Sequence, residues 1–183
     1  MMNPVFAASR SMGRSWVYAR GGKEKEARKA LSEAGKAFGT AGLSGAQRVV
    51  RGLGSSSADD FGKIAEGFHQ QIQAELKKNL KSYYAASAGW CLGLAELACS
   101  LMTKADPLAE AKKAIDEWLT VARKETDALR TQKLVPGMKD FTAMFKSHLG
   151  GIHAITDPTK WGEFHGCGQL IKDLANQVGN AIG

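Results

Sequence analysis

SADDFGKIAEGFHQQIQAELKKNLKSYYAASAGWCLGLAELACSLMT, residues 57–103, is the stretch that sets the fold class. Its apolar or small positions fall at Phe61, Ala65, Phe68, Ile72, Leu76, Leu80, Tyr83, Ser87, Trp90, Leu94, Leu97 and Leu101. The mean step is about 3.6 residues, the period of a straight α-helix. Ser57 with Asp60 three residues later makes a capping arrangement, with Asp in place of the usual Glu. No proline interrupts the pattern, which predicts one helix of about 45 residues, roughly 65–70 Å long.

The two halves of that stretch differ in chemistry. Up to Lys81 the helix is richly charged, whereas between Lys81 and Lys104 the sole formal charge is Glu96. Ala85, Gly89 and Gly93 form a small-residue stripe at spacing four in this second half. A glycine inside a helix costs about 1 kcal/mol relative to alanine, and close approach of another helix is the natural compensation. The expected seam comprises Ala85, Gly89, Trp90, Gly93, Leu94, Glu96, Leu97 and Leu101. Tyr84 to Met102 also has the length of a membrane span, but its Ser, Gly, Ala and Glu content makes it weakly hydrophobic.

Working outward, Asp106-Pro107 reads as a cap followed by proline at the first helical position. Leu108, Ala111, Ile115, Trp118, Ala122 and Leu129 then trace the apolar stripe of a second helix ending near Gln132. So short a connection predicts a long antiparallel hairpin, about 57–103 against 107–132. Val135-Pro136-Gly137 makes the next turn, Met138 to Leu149 a short helix with Phe141, Met144 and Phe145 inward, and Gly150-Gly151 its stop. Asp157-Pro158 repeats the restart and opens a last amphipathic helix carrying Trp161, Phe164, Ile171, Leu174 and Val178.

Towards the N-terminus, Asn3-Pro4 opens a short helix reaching Tyr18, with Val5, Met12 and Trp16 on one face. A helix follows over Lys23–Phe38 after Gly21-Gly22, and another over Ser44–Leu53. Gly54-Ser55-Ser56-Ser57 is the linker, dividing a basic N-terminal helical arm (1–57) from a hairpin or bundle domain (58–183). The arm holds ten Lys and Arg against three acids and the remainder fifteen of each, so the net +7 of the 183 residues belongs to the arm. Arg10, Arg14, Trp16 and Arg20 are the expected contacts to an anionic surface. The same composition, three arginines up to Arg20 and no acid before Glu24, suits an amphipathic transit peptide.

Chemistry-bearing motifs are sparse. Cys91, Cys99 and Cys167 lack CxxC spacing and are odd in number, which favours a reducing compartment over a disulfide framework. His165 and Cys167, at i and i+2, point to different sides of a helix and make a poor chelate, with His148 and His153 upstream. Gly162, Gly166 and Gly168 follow no strand, so a dinucleotide fingerprint is excluded, and no Walker sequence occurs. Arg10, Arg14, Arg20, Lys23, Lys25, Arg28 and Lys29 around Trp16 and Tyr18 resemble a sequence-indifferent nucleic-acid binder, but Glu24, Glu26 and Glu33 interrupt the run. No cofactor and no small-molecule substrate are implied.

Phe61 through Arg130 resembles a phasin, the family of helical proteins that coat polyhydroxyalkanoate granules. The likeness is carried by the long, catalytically empty amphipathic helix, its end at Leu101-Met102-Thr103-Lys104-Ala105-Asp106-Pro107, and the Glu- and Ala-rich helix after it. Asp157-Pro158-Thr159-Lys160-Trp161 through Val178 echoes the pattern. Phasins are usually richer in Gln and poorer in Gly, and the basic N-terminal helix has no counterpart there. The resemblance implies a non-enzymatic oligomer that binds a hydrophobic surface.

These readings predict an all-α, non-enzymatic structural or interaction protein. It would form homo-oligomers and bind partner helices or an apolar lipid or granule surface. The competing expectation is a membrane-penetrating or channel-forming component of a larger assembly, with Glu96 facing a lumen or a partner helix.

Overall fold

The computed structural model describes residues 1–53, 58–101, 108–140, 142, 143, 145 and 161–183. Within these spans it describes the side chains of all but residues 53, 58–63, 68, 99–101, 108–112 and 161–167. The expected all-α class is what it shows: the described residues form helices and turns with no strand. The helices are α1 (Pro4–Arg20), α2 (Glu24–Thr40), α3 (Ser44–Leu53), α4 (Ala58–Glu75), α5 (Leu80–Leu101), α6 (Leu108–Thr131) and α7 (Trp161–Ile182).

Local chemistry places the ends. The Asn3 side chain accepts a hydrogen bond from Phe6 N at 3.0 Å, and Pro4 takes the first turn, where its missing N–H costs nothing. Gly22 and Gly42, at φ +70° and +75°, turn the chain after α1 and α2 in a backbone region that disfavours side chains. Asp140 Oδ1 accepts from Thr142 N at 2.8 Å, and the described residues 142, 143 and 145 are helical, so the helix expected from Met138 begins after Asp140. Met138 and Phe145 are both buried. Phe141 and Met144, like the linker 54–57 and both Asp-Pro restarts, lie outside the described residues.

The uninterrupted 57–103 helix needs correction. Leu76–Lys78 tightens into a 3₁₀ turn and Asn79 adopts extended backbone (φ −123°, ψ 93°), dividing α4 from α5. The cause is a cap inside the periodic run: Asn79 Oδ1 accepts from Ser82 N at 3.2 Å, and Asn79 O accepts from Tyr83 N at 2.9 Å. Asparagine offers the backbone this local alternative and is favoured at helix starts. Leu76 ends buried, while Leu80, four residues on along the expected stripe, is 44% exposed. The hairpin therefore involves α5 and α6 alone. Tyr84, near the start of α5, accepts a 2.9 Å bond from Gln132 just beyond α6, so the two run antiparallel.

Helix α5 is the axis of the molecule, with α1, α6 and α7 packed around it. A helix with apolar residues on every side belongs in the interior, and Ala85, Ala86, Ala88, Leu92, Leu94, Ala95 and Leu97 are all buried. One cluster joins α5 to Ile115, Leu119, Ala122 and Leu129 of α6 and Ile171, Leu174 and Val178 of α7. A second gathers Val5, Ala8 and Met12 of α1 with Leu31, Ala34 and Phe38 of α2 and Val50 of α3. Because α1 contributes to both and packs on α2, α4 and α5, the boundary at residue 57 separates chain segments, not packing units.

Candidate functional site

The small-residue seam of α5 is filled by α1. A Cβ on Gly89 would run into Phe6 O, and one on Gly93 into Arg10 O. A Cβ on Gly13 would lie 2.6 Å from Trp90 O. Three glycines on two helices thus let the backbones touch, with α1 and α5 running in the same direction, residue 6 beside 89 and residue 10 beside 93. Ala85 is fully buried at the upstream end of the seam. Leu94 and Leu97 pack on Val17 at the other end. The side chain of Leu101 lies outside the described residues.

At the middle of this contact stands a buried ion pair. Arg10 approaches Glu96 Oε2 with Nε at 2.9 Å and a terminal nitrogen at 2.8 Å, and donates through its other terminal nitrogen to Asn176 Oδ1 at 2.8 Å. Their side chains are 10% and 6% exposed. One network therefore ties α1, α5 and α7 together. Charges so buried are tolerated only when paired, and removing either partner leaves the other desolvated.

Arg10 is accordingly unavailable to an anionic surface, contrary to expectation, because the single acid of α5 draws it inward. Arg14 is half-buried and its Nε has no hydrogen-bond partner among the described residues. Trp16 is also half-buried, edge-on to Trp118 of α6 at 6.2 Å, and Arg20 lies over its ring at 4.7 Å. Among the four expected contacts, only Arg20 is exposed.

A buried aromatic stack escaped the sequence reading. His69 of α4 lies 4.2 Å from the half-buried Trp90 of α5 with planes 8° apart. His69 is 4% exposed and its Nδ1 has no partner among the described residues. Burial lowers its pKa from 6.5 to about 4, so the ring is neutral at pH 7. A lone histidine between Phe68 and Gln70 carries no signal that its ring is inside. Gln70 and Gln71 beside it suggest a solvated face.

Cys91 packs in the α5 core, where burial, and then the negative charge of Glu125, push its thiol up to about 12. A thiol held protonated is a poor nucleophile and a poor metal ligand. Glu125 itself is raised by burial, against the opposing charge of Lys124. Among the described residues no group of three or more His, Cys, Asp or Glu is placed to hold a metal. His148 and His153 and the side chains of Cys99, His165 and Cys167 lie outside those residues. No described helix is long and apolar enough to cross a membrane.

Comparison with protein-family models, with curated proteins and with solved structures finds no match.

Proposed function

We propose that the chain is a non-enzymatic helical interaction protein that associates with partner helices, in the first instance a second copy of itself, through its outer helices α6 and α7. The observation that carries this reading is how α5 and α6 differ in enclosure. The small-residue seam of α5 is already occupied by α1. Past its first residue, Leu80, α5 exposes no described large apolar side chain, whereas α6, with one face buried on α5, keeps Val121 39% exposed and α7 keeps Leu170 55% exposed. A partner helix laid on α6 or α7 would take these side chains out of water, at about 25 cal/mol per Å² of apolar surface buried. The inert state of Cys91 supports the non-enzymatic part.

The phasin-like form of this proposal makes the partner an apolar granule or lipid surface, approached by the same two helices. Light scattering after size exclusion tests the primary reading: a discrete oligomer is expected, and Val121→Glu with Leu170→Glu should convert it to monomer. A strictly monomeric protein that adsorbs to polyhydroxyalkanoate granules would transfer the proposal to the surface-coating form. A monomer that ignores granules and vesicles alike would overturn both.

A further inference from the structure

Helices α2 and α3 meet across a tight turn at Gly42, and they leave between them an open cleft of about 230 Å³. Leu31 and Val50, both buried, form its floor. Its walls carry Arg28, Ser32 and Lys36 from α2 and Arg51 from α3. Gly35 explains the convergence. The position of a Cβ there is 3.5 Å from Val50 Cγ1 and 4.0 Å from Arg51 Cγ, so the stem of Arg51 lies directly on α2. Arg28 and Lys36 are eight residues apart, on one side of α2, and Arg51 is brought over that side by the close packing.

No acidic side chain among the described residues lines the cleft, and α3 contains none. Glu24 holds the Arg28 guanidinium through Nε at 2.9 Å and a terminal nitrogen at 2.6 Å, which orients that side chain. Among the described residues neither Lys36 nor Arg51 makes an ion pair. Lys36 and Arg51 with the Ser32 hydroxyl, beside an Arg28 guanidinium already paired with Glu24, surround one small concavity with the donor set for a phosphate group, Arg51 supplying forked donors and Lys36 a point charge. The volume falls below the roughly 300–1,000 Å³ usual for small-molecule sites, which suits a headgroup-sized ligand.

We infer that the α2–α3 cleft binds a phosphate group, carried on a small soluble molecule or on a lipid headgroup, through Arg28, Ser32, Lys36 and Arg51. This relocates the anionic contact from α1 to the next two helices, and it stands independently of the association proposed above. All three cationic side chains reach solvent, so binding weakens with salt.

The test uses the full chain and two probes. One is inorganic pyrophosphate, titrated by calorimetry at low salt. The other is phosphatidylcholine vesicles with and without phosphatidylglycerol, in a flotation assay. The paired variant Lys36→Gln with Arg51→Gln should weaken binding at least tenfold, and Lys172→Gln on α7 should leave it unchanged. Loss in the pyrophosphate arm identifies a soluble ligand. Loss confined to the phosphatidylglycerol arm identifies a lipid headgroup. Saturable binding to neither probe, an equal loss in Lys172→Gln, or binding of duplex DNA alone would overturn the inference.

Discussion

Helices α4 and α5 share one apolar period in sequence, yet they occupy opposite situations. Helix α4 lies at the periphery, leaning on α1, with Glu66, Gly67 and Gln70 exposed. Helix α5 is enclosed by α1, α6 and α7 and holds its one acid in a buried pair. Periodicity reports which side chains face a core. It does not report whether the backbone continues between them, nor how many neighbours surround it. Asn79 separates the two, and substitutions on either side of it should have unequal effects.

The largest effect is expected at Glu96. Glu96→Ala strands Arg10 in the interior with Asn176 as its remaining described partner, and should cost about 3–5 kcal/mol in urea denaturation. Replacing both partners, Arg10→Met with Glu96→Leu, should recover most of that loss, since a packed apolar pair carries no desolvation penalty. If the double variant is as unstable as the single one, the network stabilises the fold through more than charge pairing.

Next comes acid. The pKa of His69 is depressed in the folded state, so the unfolded chain binds the extra proton. The stability this neutral ring permits is complete above about pH 6.5 and is lost as pH falls towards 4. The shift from 6.5 to about 4 corresponds to about 3 kcal/mol. His69→Phe keeps an aromatic on Trp90 and should flatten the stability profile between pH 7 and 4. An unchanged acid slope would place the titrating group elsewhere.

Gly93→Ala should follow, at about 2–3 kcal/mol, because its new methyl meets the Arg10 carbonyl, a backbone atom that can yield only if α1 shifts. The same substitution answers how far the site was legible in the sequence. Two glycines and an alanine at spacing four inside an apolar helix demanded a close neighbour, and the structure supplies one. The identity of that neighbour was hidden. Arg10 pairs with a residue 86 positions away, and local reading sees in α1 only a basic helix suited to a surface. The Asn3-Pro4 cap was legible because capping is local. Asn79 is equally local, but the apolar residues on both sides of it continue the period and mask the break. Nothing near His69 marks its ring as interior, since the stacking partner comes from another helix.

Asn79→Ala, which removes the side-chain cap of α5, should cost about 1 kcal/mol. It also sharpens the division of the two helices. Dyes attached near residues 63 and 97 should keep their separation if tertiary packing holds the bend, and move apart if the cap alone maintains it.

The smallest effect has the opposite sign. Gly67 sits in α4 with no atom of the described residues within 4 Å of the position a Cβ would take, and it is exposed. Gly67→Ala therefore meets no neighbour, restricts the unfolded chain, and should stabilise by about 0.5–1 kcal/mol. Paired with Gly93→Ala, it makes one chemical change on the two sides of Asn79 and expects opposite outcomes. In α4 the glycine weakens the helix and contributes no contact, whereas in α5 the missing side chain is the contact. Should Gly67→Ala destabilise by as much as Gly93→Ala, α4 would have to be packed at Gly67 against something other than the described residues, and the periphery assigned to it would be withdrawn.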